Sequence, residues 1–255
     1  MASIEPLRSR SNPLVKRFRA VRAGKVEGRV LLEGERLIED AIASGYELEA
    51  VLVDAKLAPP IDPDPHGTHR LATRDVIGAC SDLSSPPNAI AIGVAPPIEG
   101  VERLPVGGSS LLLVLADVAD PGNLGACARV AEAGGATAVG LAGSGASPRN
   151  PKALRGSMGS LLRLPLVAVR DAAQLAELGW RSVRAATRGG TDFRRHDWTG
   201  PTALWLTGET GRADVSGPVE DVSIPMAGNA ESLNVAVAAA LLVFAAGRVS
   251  GEPRE

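Results

Sequence analysis

The sequence predicts an α/β protein built from two strand–helix units. Three observations carry that reading. Short apolar runs alternate with stretches of helical periodicity along the chain. One run, Leu111–Ala116, is apolar without a break, which suits a central parallel strand buried on both faces. A stretch rich in proline and glycine, from Ala95-Pro96-Pro97 to Pro105-Val106-Gly107-Gly108, separates two halves and lacks apolar periodicity. The expected units are 1–95 and 110–250, joined by a linker over 96–109.

In the first unit, Ser11-Asn12-Pro13 opens a helix, with proline near its first turn. Leu14, Val15, Phe18 and Val21 share one face of it, and Lys16, Arg17, Arg19 and Arg22 take the others. Val30–Leu32 reads as a strand, Arg36–Ala43 as a helix closed by Ser44-Gly45, and Leu48–Val53 as a strand. The proline-rich 58–65 is an irregular connection. Thr73–Ile77 starts a short helix, and Asn88–Val94 is the last strand of this half.

The second unit begins with Leu111–Ala116. After Asp117 comes Asp120-Pro121-Gly122-Asn123-Leu124-Gly125, then a helix through Arg129 to Ala133, closed by Gly134-Gly135. Strands are expected at Ala138–Leu141, Leu164–Val169, Ser182–Thr187 and Ala203–Thr207. Helices start at Asn150-Pro151 and run over Ala172–Leu178. Asp221–Ile224 is a strand stopped by Pro225, which cannot donate to a ladder. Asn229 is a plausible N-cap for the final helix, with Glu231 in its first turn. From Leu233 to Phe244 that helix is almost wholly apolar and is expected to be buried all round. Ser232 and Asn234 at its mouth read equally as caps and as functional groups.

Composition narrows the function. Net charge of −2 gives no global polyanion signal, and aromatics at 3% argue against broad stacking platforms for single strands. The local balance differs: Arg8, Arg10, Lys16, Arg17, Arg19, Arg22, Lys25 and Arg29 crowd residues 1–30 against Glu5 and Glu27. Cys80 and Cys127 follow no disulfide or zinc spacing, and His66, His69 and His196 lack companion ligands, so no metal is expected. The apolar run at Val235–Gly247 is too short to span a bilayer, and no membrane role is expected. A reducing, cytoplasmic setting is the expectation.

In open parallel sheets, ligands bind beyond the carboxyl ends of the strands. Three such ends carry chemistry: Asp120–Gly125 with Arg129, Leu206-Thr207-Gly208-Glu209, and Ile224–Val235. The first fails the dinucleotide-binding glycine spacing. The chain has no Walker lysine motif and no nucleophile elbow for acyl transfer.

Taken together and in order, these loops resemble the SpoU/TrmH-like branch of the SPOUT RNA methyltransferases. Lys152-Ala153-Leu154-Arg155-Gly156-Ser157-Met158-Gly159 also looks like that family. The first unit, from Asn12-Pro13 through Leu32-Glu33-Gly34 to Leu37-Ile38, looks like the L30e-like substrate-binding domain that often precedes it. The resemblance implies a trefoil-knotted α/β catalytic domain acting as a homodimer, with each site completed by the partner's first motif. It implies S-adenosylmethionine as cofactor, contacted at Leu206, Thr207, Gly208, Ile224, Met226 and Leu233. It implies methyl transfer to a ribose 2′-hydroxyl of RNA, with ribosomal RNA favoured over transfer RNA. Arg129 would assist the attacking hydroxyl, Asn123, Ser232 and Asn234 would position the ribose and hold Arg129, and Glu209 would order that network. One departure stands out: Thr207, Thr210 and Arg212 occupy positions where the family usually carries glycine. The competing readings are a non-catalytic RNA-binding relative and a Rossmann-type oxidoreductase. The glycine spacing disfavours the oxidoreductase.

Overall fold

The computed structural model describes residues 5–57, 69–208 and 215–247. The chain divides into two compact units. One is Met1–Pro97 with Arg149–Arg163, and the other is Ile98–Pro148 with Leu164–Glu255.

The first unit opens with α1 (Pro13–Arg22), capped by Asn12, whose side-chain oxygen accepts from the Leu14 amide at 2.8 Å. There follow β1 (Arg29–Glu33), α2 (Glu35–Ala43), β2 (Glu47–Asp54), β3 (His69–Ala72), α3 (Arg74–Cys80) and β4 (Ala89–Val94). The strands lie in the order β1-β4-β2-β3, with β4 antiparallel to both neighbours and β3 parallel to β2. Val15 and Phe18 of α1 pack with Leu31, Leu52, Ile77 and Ile92 in one buried cluster. This is the apolar face that the helical spacing predicts.

Next come β5 (Glu99–Gly100), β6 (Leu111–Ala116), α4 (Pro121–Ala133) and β7 (Ala138–Ala142) of the second unit. Then α5 (Pro151–Ser157) and α6 (Ser160–Arg163) rejoin the first. Buried Ala153, Leu154, Leu161 and Leu162 pack them there, and two ionic contacts add to it. Glu33, its side chain 1% exposed, accepts from Arg155 of α5 and from the Ser81 hydroxyl at 2.5 Å. Arg163 of α6 pairs with Asp40 of α2 at 3.1 Å. The sequence reading does not single out Glu33, because burial of a carboxylate becomes visible only with its distant partners in place.

The second unit continues with β8 (Leu166–Ala168), α7 (Ala172–Glu177), β9 (Arg181–Ala186), β10 (Thr191–Asp192), β11 (Thr202–Thr207), β12 (Glu220–Ser223) and α8 (Val235–Ala245). Its described strands form one sheet in the order β10-β12-β9-β11-β6-β7-β8-β5, and every pairing is parallel. All six residues of β6 are buried, as a strand covered on both faces requires. From β6 the chain proceeds outward through β7 and β8, whereas β11 lies on the other side of β6. The order therefore reverses between β6 and β11, which makes a crevice at their carboxyl ends.

Two expectations about the last helix need correction. Its N-cap is Asn234, whose side chain accepts from the Ala236 amide at 2.9 Å, and the residues from 224 to 234 are not helical. Asn229 and Glu231 therefore lie in the loop. Nor is α8 buried all round. Ala239, Leu242 and Val243 are buried, but Val237, Leu241 and Phe244 are 49%, 40% and 52% exposed. Their spacing places those three on one face. The short β5 and β10 were not anticipated, because two-residue strands are too brief to show alternation.

Two measurements test the first unit's ionic supports. Arg155→Ala leaves Glu33 buried and unpaired, so urea unfolding should show a loss of about 3–5 kcal/mol, and Glu33→Leu/Arg155→Met should recover most of it. Glu49 accepts from Arg17 at 2.8 Å and from Arg29 at 2.5 Å. The Arg17 hydrogen bond leads in lowering its carboxyl from 4.5 to about 2. A depressed carboxyl stabilises the fold above its unfolded value, and that contribution is lost as pH falls from 4.5 through about 2. Glu49→Gln should flatten the pH dependence of stability in that window and leave its shape near neutrality unchanged.

Candidate active site

The crevice is set by an unusually close backbone approach. The Gly208 amide donates to the Ala116 carbonyl at 2.8 Å, so β11 stays paired with β6 to its last residue. A Cβ on Gly208 would lie 2.1 Å from the Asp117 carbonyl oxygen, so only glycine fits there. Asp117 itself is left-handed, at φ 52, an uncommon state for a residue other than glycine. Its carboxylate accepts from the Ser144 amide at 2.6 Å and thereby ties the loop after β6 to the loop after β7. Sequence reading takes Asp117 only as a strand end and misses this role.

Two helices begin beside that crevice. Asp120 caps α4 by accepting from the Asn123 amide at 2.8 Å. Asn234 caps α8, and its Nδ2 donates to Asn123 Oδ1 at 3.0 Å. The two N-termini, each the positive end of its helix dipole, are thus joined through a pair of side-chain amides. Behind them α4 packs against α8, where a Cβ on Gly134 would lie 2.2 Å from a Val243 methyl. Cys127, in the same helix as Asn123, is buried, and burial pushes its thiol up to about 12. It is not a nucleophile at neutral pH.

A cavity of about 590 Å³ opens at the carboxyl ends of β9, β11 and β12. Its lining includes Leu206, Thr207, Gly208, Ile224, Met226 and Leu233, all six residues expected at a cofactor site, and also Ser232. Its floor carries Arg184 and Asp221, which form a two-pronged hydrogen bond at 2.8 and 2.9 Å. The Arg184 guanidinium holds the Asp221 carboxyl below its ordinary value. Sequence alone does not show this pair; the in-register pairing of β9 with β12 places the two side chains together. The volume lies in the range of small-molecule sites. Apolar walls with hydroxyls and backbone groups at the mouth suit a purine nucleoside with a polar tail, so the residues fit S-adenosylmethionine.

The expected catalytic residues divide into three groups. Asn123 and Asn234 are in direct contact, and Ser232 lies in the cavity wall. Arg129 is exposed on α4, does not line the cavity, and has no hydrogen-bond or ion-pair partner among the described residues. Glu209, with Thr210 and Arg212, lies outside the described residues. Among those described, no group of three or more His, Cys, Asp or Glu is placed to hold a metal ion, and no helix is long and apolar enough to cross a membrane.

Comparison with known proteins identifies the family. The model of the SpoU rRNA Methylase family matches residues 110–244, just over half of the chain. The 23S rRNA (uridine(2479)-2′-O)-methyltransferase of Streptomyces viridochromogenes is 31% identical over 88% of this chain and 85% of its own. The 23S rRNA (guanosine(2553)-2′-O)-methyltransferase RlmP of Bacillus subtilis is 30% identical over 94% of this chain and 98% of its own. The crystal structure of the SpoU methyltransferase AviRb from Streptomyces viridochromogenes, in complex with the cofactor AdoMet, matches with a TM-score of 0.78 and 27% identity. That match covers 94% of this chain and 100% of AviRb. With the family model matching the unit that holds the cavity, and full-length relatives at these identities, the chain belongs to the SpoU rRNA methylase family.

Proposed function

We propose that this protein is an S-adenosylmethionine-dependent methyltransferase acting on a ribose 2′-hydroxyl of ribosomal RNA. The observation that carries the reading is the single cavity lined by all six expected cofactor residues, beside the linked Asn123–Asn234 amides. The relatives named for 2′-O-methylation act on a uridine and on a guanosine of 23S rRNA, so the reading commits to the ribose and not to a base.

The cofactor supplies an electrophilic methyl group on a sulfonium centre. The chain's own residues do the rest. Leu206, Ile224 and Leu233 offer apolar walls to an adenine, while Thr207, Gly208 and Met226 bring backbone groups to the same cavity. Asn234 is committed to its cap and to Asn123, which fixes the Asn123 amide plane. Asn123 Nδ2 has no partner among the described residues and is free to donate to the ribose. Ser232 adds a hydroxyl from the facing loop. The 2′-hydroxyl must give up its proton, to solvent, as it attacks, so negative charge develops on its oxygen; with the cofactor bound, the methyl's bond to sulfur would break as its bond to that oxygen forms, and the sulfur would leave as a neutral thioether. The Arg129 guanidinium stabilises that charge. Glu209 is assigned the ordering role that the family resemblance implies.

Arg129 lies outside its own cavity, which supports a homodimer whose partner contributes that residue. The exposed apolar face of α8, with Val237, Leu241 and Phe244, is the surface we assign to the second copy. A trefoil-knotted carboxyl-terminal region, an L30e-like RNA-binding role for residues 1–95, and a cytoplasmic site of action complete the proposal.

Labelled S-adenosylmethionine incubated with ribosomal and transfer RNA, followed by mapping of the modified ribose, tests the function. Transfer to ribosomal RNA is expected. No transfer to any RNA, together with no cofactor binding, would sink the reading. Arg129→Ala should lower turnover by about 10²–10³-fold, the scale of losing one transition-state donor, with cofactor affinity unchanged. Equal loss of cofactor binding would make Arg129 structural. Phe244→Glu should convert the protein to a monomer by light scattering and abolish turnover in parallel. A fully active monomer would refute the shared site.

A further inference from the structure

Beside the cofactor cavity lies a second one, of about 430 Å³. The two share Thr187, Arg188, Ile224 and Met226 in their linings, so the second continues from the first across the ends of β9 and β12. Its outer wall is the loop carrying Asn229 and Glu231.

Arg188 stands where the two cavities meet, on a turn built to hold it. Gly189 and Gly190 are left-handed, at φ 77 and 75, and a Cβ on Gly190 would lie 2.4 Å from the Asp221 carbonyl oxygen. Beyond the turn, β10 pairs with β12, and the Phe193 amide donates to the Ser223 carbonyl at 3.0 Å. The loop is therefore anchored on both sides of Arg188. The arginine side chain itself is only loosely engaged. It is 84% exposed, and its ion-pair partner is Glu231, 85% exposed and 3.8 Å away. A pair so exposed and so long contributes little, so a better anion displaces it at almost no cost. The other acids near this wall are already engaged: Asp221 with Arg184, and Asp192 with Arg194.

We propose that the second cavity receives the nucleotide next to the methylated ribose, and that Arg188 holds that nucleotide's phosphate by displacing Glu231. The inference rests on the proposed RNA 2′-O-methyltransferase function. A ribose in position for reaction brings its flanking phosphates within reach of the cavity mouth. An arginine presents a planar fork of donors matched to phosphate oxygens. Arg188 is a positioning residue, and Glu231 is its placeholder in the absence of RNA.

The test uses the full-length protein and in-vitro-transcribed 23S and 16S ribosomal RNA. RNA affinity is measured over a salt series, with methyl transfer and cofactor affinity measured alongside. Arg188→Gln should weaken RNA binding about tenfold and reduce the slope of log affinity against log salt by about 1, the signature of one lost phosphate contact. Arg188→Lys should restore the slope. Glu231→Gln should tighten RNA binding by about twofold, and the double variant should match Arg188→Gln alone. Cofactor affinity should stay within about twofold throughout. An unchanged salt slope in Arg188→Gln would overturn the proposal while leaving the function intact. A parallel fall in cofactor affinity would also overturn it, because Arg188 would then be a cofactor ligand. Absence of methyl transfer by the wild-type protein would remove both readings.

Discussion

The approach of Gly208 to Asp117 is the constraint on which the catalytic unit turns. Parallel pairing of β6 and β11 must run to the last residue for their loops to leave the sheet at one level. That pairing requires a residue without a Cβ on one strand. On the other, Asp117 takes a left-handed backbone, a state that costs on the order of 1–3 kcal/mol for a residue other than glycine. Its carboxylate returns part of that cost through the Ser144 contact. The buried runs of β6 and β11 supply the rest, since apolar strands covered on both faces hold the register that forces the approach. Strain thus concentrates at the edge where the cavity opens, and the buried strands below it hold it in place.

The linked amides of Asn123 and Asn234 extend that constraint to the helices. Taken from the sequence, Asn234 reads equally as a cap or as a site residue. In the structure one side chain does both: its oxygen ends the helix and its nitrogen reaches Asn123. Capping fixes the rotamer, and a fixed rotamer presents the partner amide in one orientation. Pre-organisation therefore comes with the local fold and needs no separate support. Substitution at Asn234 consequently cannot be read as purely catalytic, because the first turn of α8 depends on it.

Legibility in the sequence followed the length of each physical signal. Long apolar runs and proline or asparagine starts located α1, α4, β6 and β11, because burial and capping leave local patterns. The loops at the strand ends that line the cavity are legible as ligand-side segments, and the six residues expected there follow from the family resemblance. Three kinds of feature were not. β5 and β10 are held by partners distant in sequence and have no period of their own. Glu33 and Arg155, like Arg184 and Asp221, are pairs whose meaning lies in a juxtaposition that only the fold creates. The onset of α8 is not fixed by sequence, because Asn229 and Asn234 are chemically equal caps. The backbone chose the later one, where the side chain also finds Asn123. Its exposed face is not legible either, because an alanine-rich apolar helix has nearly the same hydrophobicity on every side.

Electrostatics reach the same division between scaffold and site. The crowd of arginines near the amino terminus suggests a broad attraction for polyanions, but the fold spends much of it internally. Arg10 pairs with Asp75, Arg17 and Arg29 share Glu49, and Arg22 pairs with Asp82. Arg8, Lys16, Arg19 and Lys25 remain exposed and without such partners among the described residues. With a net charge of −2, long-range steering is weak, and each uncommitted cation matters in proportion. A protein so balanced cannot hold RNA by bulk charge. It must meet phosphates at a few fixed places, and a cation placed by backbone geometry at the mouth of a cavity is worth more than a mobile one on an open face.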